Sequence, residues 1–144
     1  MQALDWRRAR FRVGLWASAR LLPWRVRRLP LNDVLEIARP GDRKRYAGLP
    51  ASYIARAIER TTRHPWLMRD RRCLRRGLLG YRFLSEAGFW PELRFSVDRH
   101  PPAQDRLTAH CWVCIDGAPV INQDLPGSTT VLVHSDHDSG SGCT

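Results

Sequence analysis

Lysine is nearly missing from this chain: of 24 basic residues only Lys44 is not an arginine. No stretch approaches the ~20 consecutive apolar residues that a membrane-spanning helix requires, so no such helix is expected. The N-terminal apolar stretch is interrupted by Arg12 and Arg20 and lacks a small-residue cleavage site, so a secretory signal is not expected. There is no glycine-rich phosphate loop, and the chemistry is therefore expected to proceed without ATP. Internal repeats are absent, which removes solenoids and propellers. Cysteines are few, at Cys73, Cys111, Cys114 and Cys143. Without a signal they read as thiols in a reducing cytoplasm rather than as a disulfide framework.

The 144 residues suit one domain with a modest core, and 43% hydrophobic with 26% charged residues is the balance of a soluble globular protein. The net charge of +10 is carried almost wholly by arginine. That skew fits genomic base composition as well as function. It suits contact with nucleic acid, an anionic membrane or an acidic peptide, and charge does not choose among them.

Along the chain, residues 6–29 read as a basic amphipathic helix interrupted at Pro23, with Phe11, Leu15, Ala19 and Leu22 as its apolar stripe. The spacing suits packing on the domain, with membrane-surface contact as the alternative. A short helix is expected near Asn32 to Ala38, a turn at Pro40-Gly41-Asp42, and a helix from Pro50 to Arg63 with Ile54, Ala57, Ile58 and Thr61 on one face. Residues 89–97 read as a first strand, and Val120-Ile121 and Val131-Leu132-Val133 as short further ones. From His134 the tail is polar and glycine-rich, the composition of a disordered end.

Between these lie the stretches that carry chemistry. Leu74, Leu78, Tyr81 and Ser85 recur at helical spacing, Gly77 and Gly80 leave room for close packing, and Asp70 and Gly88 serve as end signals. With that start, Cys73 falls in the first helical turn, where unpaired N–H groups and the helix dipole favour a thiolate. Arg71, Arg72, Arg75 and Arg76 add positive charge. Downstream, residues 107–122 read as strand, Asp116-Gly117 turn and strand. Alternation places His110, Trp112 and Cys114 on one face and Cys111, Val113 and Ile115 on the other. The returning strand brings Asn122 beside His110. Cys73, His110 and Asn122 then form a nucleophile, a base and an orienter, with Asp124 as the alternative third member. Trp66, ahead of Cys73, and Trp112 are candidate substrate contacts, burial in the core being the other reading of Trp66.

Cys73-Leu74-x-Arg76, the leucine-rich helix ending at Ala87-Gly88, and Ala109-His110-x-Trp112-Val113 with Asp116-Gly117 resemble the leader peptidases of lasso-peptide biosynthesis. These are small enzymes of the transglutaminase-like, papain-related cysteine peptidase superfamily. The resemblance runs from about Leu49 to Asn122, and more loosely upstream. It implies an α+β, papain-like fold of N-terminal helices and a small antiparallel β-sheet, with a peptidase core over 49–133, a basic helical segment over 1–48 packed on or flanking it, and a tail over 134–144. The activity implied is removal of the leader from a ribosomally made precursor by a Cys-His-Asp triad, with no cofactor. Implied partners are the precursor's leader peptide, a separate leader-recognition protein and an asparagine-synthetase-like cyclase, with no nucleic acid. Two positions depart from the family pattern: Asn122 stands where it has an acid, and Cys114 where it usually has Glu.

Other chemistries compete for the same residues. Cys111-x-x-Cys114 with His134-x-x-His137 has zinc-ligand types, but residues three apart on a strand face opposite ways. Arginine interspersed with Trp6, Trp16 and Trp24 suits a nucleic-acid module, yet no recognition motif accompanies it. A transglutaminase-like acyltransferase shares the Cys-His chemistry.

Overall fold

Helix α4 (Arg72–Glu86) is the element against which most of the others pack. The computed structural model describes residues 2–64, 71–98, 109–123, 126 and 128–136. Helices α1 (Gln2–Val26), α2 (Leu31–Ala38) and α3 (Ala51–Thr61) meet α4 on one side. Strands β1 (Pro91–Asp98), β2 (Ala109–Ile115) and β3 (Ala118–Ile121) meet it on the other, and β4 (Ser128–His134) completes the sheet beside β1. The class is α+β, as expected, with a small antiparallel sheet in the order β3-β2-β1-β4.

Being sandwiched explains the composition of α4. Sequence spacing predicts a single apolar stripe, yet from Gly77 to Glu86 only Arg82 escapes full burial. A helix covered on two sides is apolar nearly all round. Its glycines let the sheet approach: a Cβ on Gly80 would collide with Ile121 Cδ1 and lie 3.3 Å from Val113 Cγ2.

Helix α1 departs from expectation at Pro23, which does not interrupt it; the helix runs on to Val26. A proline lacks the N–H that would bond the carbonyl four residues back, here that of Ala19. The buried Arg75 guanidinium on α4 donates to Ala19 O instead, at 2.5 Å. The freed carbonyl thereby becomes a tie between the two helices. Below it the expected stripe of Phe11, Leu15, Ala19 and Leu22 is buried, and Phe11 meets Phe83 and Tyr46 edge-on at 5.5 Å each.

In the sheet, Asp116 and Gly117 adopt left-handed φ values of 50° and 78°, the conformation a two-residue hairpin turn needs. Strand β2 is buried at four successive positions, Cys111 to Cys114, not at alternate ones. It lies between β1 and β3, and central strands are covered on both faces more often than edge strands. The described chain continues past β4 to Asp136, whose carboxylate accepts from Arg43 Nη2 at 2.6 Å, while the His134 ring packs on Tyr81. No described helix is long and apolar enough to cross a membrane.

Candidate active site

Cys73 sits where the packing of α4 on β2 converges. Arg71, not Asp70, takes the N-cap position, and no side chain caps the helix; Asp70 itself lies outside the described residues. Cys73 is the second helical residue, so its N–H has no acceptor within the helix and points from the positive end of the dipole. One turn later Gly77 makes room for β2: a Cβ there would stand 2.9 Å from Cys111 Sγ. The strand therefore crosses the start of the helix at the thiol, and Cys73 Sγ lies 4.0 Å from Ala109 O.

This crossing lowers the Cys73 pKa from 9.0 to about 5. The largest contribution is a hydrogen bond from the Cys111 thiol. Partial burial opposes it, and the Cys111 backbone N–H, the charge of His110 and a His110 hydrogen bond lower it further. Cys111 moves the opposite way, its thiol held protonated by the same contact and by burial. The arginines expected to supply positive charge are not among these causes. Arg75 turns to Ala19 O, and Arg76 Nε donates to Thr62 Oγ1 at 2.9 Å. They fasten α4 to the helical layer.

His110, at the start of β2, places its Nε2 2.6 Å from the Gln123 carbonyl oxygen. A carbonyl only accepts, so Nε2 carries the proton of that bond and Nδ1 is the ring nitrogen left for proton exchange. The ring is backed by the Trp112 indole, stacked at 6.0 Å between centroids and tilted by 19°. Trp112 is only 3% exposed. Its burial and stacking place the indole behind the His110 ring. Trp66 lies outside the described residues.

Asn122 was expected to hold the His110 ring. Among the described residues no hydrogen bond joins its side chain to that ring. Instead Nδ2 donates to Cys73 O at 3.1 Å and to Cys111 O at 2.9 Å. The reason is local geometry. A register shift between Val113 and Cys114 precedes it across the hairpin, and Asn122 itself adopts φ 54°, where asparagine is tolerated better than most residues. The left-handed turn directs the amide toward α4, and the next carbonyl, that of Gln123, faces His110. Asn122 is a brace between helix and strand, and the group holding the imidazole is a main-chain oxygen. Residue types carry no signal for a backbone acceptor; the one hint was an asparagine ending a strand. Asp124 lies outside the described residues.

Among the described residues no three His, Cys, Asp or Glu side chains converge as metal ligands would, and His137 lies outside them. The geometry thus brings together a thiol of low pKa, an imidazole anchored through Nε2 and a main-chain N–H at the N-terminal end of a helix. Such a set can form a thiolate, transfer a proton and stabilise an oxyanion. No curated protein and no solved structure matches the chain. The sequence profile of the transglutaminase-like superfamily matches residues 3–134, which takes in all four helices and all four strands, and the chain belongs to that superfamily.

Proposed function

We propose that the protein is a cysteine peptidase that removes the leader from a ribosomally made lasso-peptide precursor. Support comes from a superfamily of cysteine peptidases and acyltransferases, from the leader-peptidase resemblance around Cys73 and His110, and above all from one observation. Cys73 has a pKa of about 5 beside a His110 whose far nitrogen is anchored on the Gln123 carbonyl. In this reading His110 Nδ1 takes the thiol proton, and the Gln123 oxygen holds the imidazolium in place. The thiolate attacks the scissile carbonyl, forming the C–S bond, and the oxyanion faces the Cys73 N–H. His110 returns its proton to the leaving amine as the C–N bond breaks, and water then hydrolyses the thioester to release the leader's carboxylate.

The partners are a separate leader-recognition protein and an asparagine-synthetase-like cyclase, and the compartment is the cytoplasm. The test is incubation of purified protein with precursor, with and without the recognition protein, read by mass spectrometry. Expected are a leader ending in a free carboxylate, weak cleavage without the recognition protein, and no cleavage by Cys73→Ala or Cys73→Ser. Undiminished cleavage by Cys73→Ala overturns the reading; a leader joined to an added amine, with no free acid, makes the enzyme an acyltransferase.

A further inference from the structure

The buried stripe of α1 accounts for only one of its two apolar faces. On the outward side Trp6 is 69% exposed, Val13 69%, Trp16 57% and Trp24 63%. At 100° per residue, Trp6, Val13 and Trp24 fall within about 20° of one another, on the side opposite Phe11, Leu15 and Leu22. Trp16 and Leu21 flank this row, each about 70° to either side, and Leu29 and Leu31 beyond the helix end are exposed as well. Tryptophan carries a large apolar surface that folding normally covers. Three on one outer face are unaccounted for by the packing of this domain.

The arginines of α1 and of the two residues that follow it divide in the same way. Arg7 donates to Ala47 O and Arg12 to Tyr53 Oη, while Arg8 lies over the Tyr53 ring, so these three fasten α1 to the domain. Arg10, Arg20, Arg25, Arg27 and Arg28 are exposed, and Arg20 stacks on the Trp16 ring at 5.1 Å. Asp5 is the only acid in the helix.

We infer that the outer face of α1 docks the protein on an anionic phospholipid surface. The occupant is chosen by charge and shape. A row of indoles along a helix about 37 Å long, bordered by arginines, matches the interface of a bilayer, where an amphipathic ring sits at headgroup depth and a cation meets phosphate. The face is the convex side of a cylinder, suited to lying on a plane. Because the helix is already folded and packed, docking has no helix-ordering cost to overcome. The protein lies on the membrane without crossing it.

The experiment uses the full chain with vesicles of phosphatidylcholine alone or mixed with phosphatidylglycerol, read by co-sedimentation and tryptophan emission. Expected is binding to the anionic vesicles only, weakened by salt, with a blue-shifted emission that bromine-labelled lipid quenches. Combined Trp6→Phe, Trp16→Phe and Trp24→Phe should keep binding but lose most of the quenching. Neutralising Arg10 and Arg27 to Gln should weaken binding about fivefold for each. These side chains are exposed, so the thermal transition should be unmoved; a wild-type quenching result also stands without any variant. Absence of vesicle binding, equal binding to neutral vesicles, or quenching that survives the triple Phe change overturns the inference. So does an oligonucleotide that displaces the protein from vesicles at equal charge concentration, since that assigns the face to nucleic acid. No readout involves cleavage, so this inference and the peptidase reading fail separately.

Discussion

At the scale of single residues, the chain shows its candidate nucleophile and base openly and conceals what tunes them. Cys73 is legible because a helix start, a cysteine and a later histidine strand coincide. Cys111 looks like a bystander on the strand's other face, yet its thiol is the largest cause of the low Cys73 pKa. A depressed pKa leaves thiolate as the main form above about pH 5, and reactivity is lost as pH falls through that value. Alkylation of Cys73 by iodoacetamide should therefore be nearly constant from about pH 8 to pH 6. Cys111→Ala should move the midpoint up by about one unit or more, sparing activity at pH 8 and reducing it at pH 6, while Cys111→Ser should move it less. An unmoved midpoint in Cys111→Ala would leave His110 as the sole activator. Asn122 gives the sharper contrast, because family resemblance and geometry disagree about it. As an orienter it would tolerate aspartate. As a brace donating to two carbonyls it would not, since a carboxylate would face two oxygens. Loss of the amide leaves both acceptors unsatisfied, a cost of about 1–3 kcal/mol. Melting temperatures should fall in the order wild type, Asn122→Gly, Asn122→Asp, glycine preserving the left-handed backbone. An aspartate variant as stable as wild type would return Asn122 to the triad.

At the scale of elements, most of the fold was readable from period and punctuation: α2, α3, α4, the Asp116-Gly117 hairpin of β2 and β3, and the two further strands β1 and β4 all lie within a few residues of their expected places. What could not be read was how α4 is held, because that depends on residues distant in sequence meeting its two sides. The Arg75 contact with Ala19 O is the clearest case, since it requires knowing that Pro23 leaves that carbonyl open. Arg75 is 4% exposed, and burial lowers its pKa. Replacing it with Leu removes a desolvated charge and also orphans the carbonyl; the second effect should dominate here, because a leucine cannot close a gap in a helix. We expect a loss of about 1–3 kcal/mol by denaturant titration, and no loss would show that water serves Ala19 O as well. Gly77 links packing to chemistry. Alanine there gains about 1 kcal/mol of helix propensity, but its Cβ would press on Cys111 Sγ at 2.9 Å and Leu93 Cδ1 at 3.0 Å. Overpacking of this kind typically costs about 1–3 kcal/mol. Gly77→Ala should thus lower stability and, by displacing the Cys111 thiol, shift the Cys73 alkylation midpoint upward. A stabilised variant with an unchanged midpoint would show that the sheet gives way freely.

At the scale of the whole molecule, the motifs of the resemblance lie from about Leu49 to Asn122, with only a looser likeness upstream, whereas the superfamily profile starts at residue 3 and the hydrophobic core at Phe11. Phe11, Leu15, Leu22 and Val26 join Leu78, Phe83 and Leu84 in one cluster, and none of the four α1 side chains is more than 6% exposed. Motif reading favours the stretch that carries chemistry and is blind to a helix whose only task there is to cover apolar surface, which is why residues 1–48 read as packed on or flanking the rest. Burying each of those four side chains is worth about 1.5–3 kcal/mol. Together they are of the same order as the ~5–15 kcal/mol that stabilises an ordinary domain. Removal of residues 1–28 would also take away the Ala19 carbonyl, leaving the Arg75 guanidinium buried against a lost surface. A chain starting near Leu29 should therefore show no cooperative thermal transition, and its Cys73 should alkylate with the pH dependence of an ordinary thiol, because the pKa of about 5 exists only while α4 and β2 are held in register. If the shortened chain melted cooperatively and kept a midpoint near pH 5, the catalytic half would be a folding unit of its own and α1 an appendage to it.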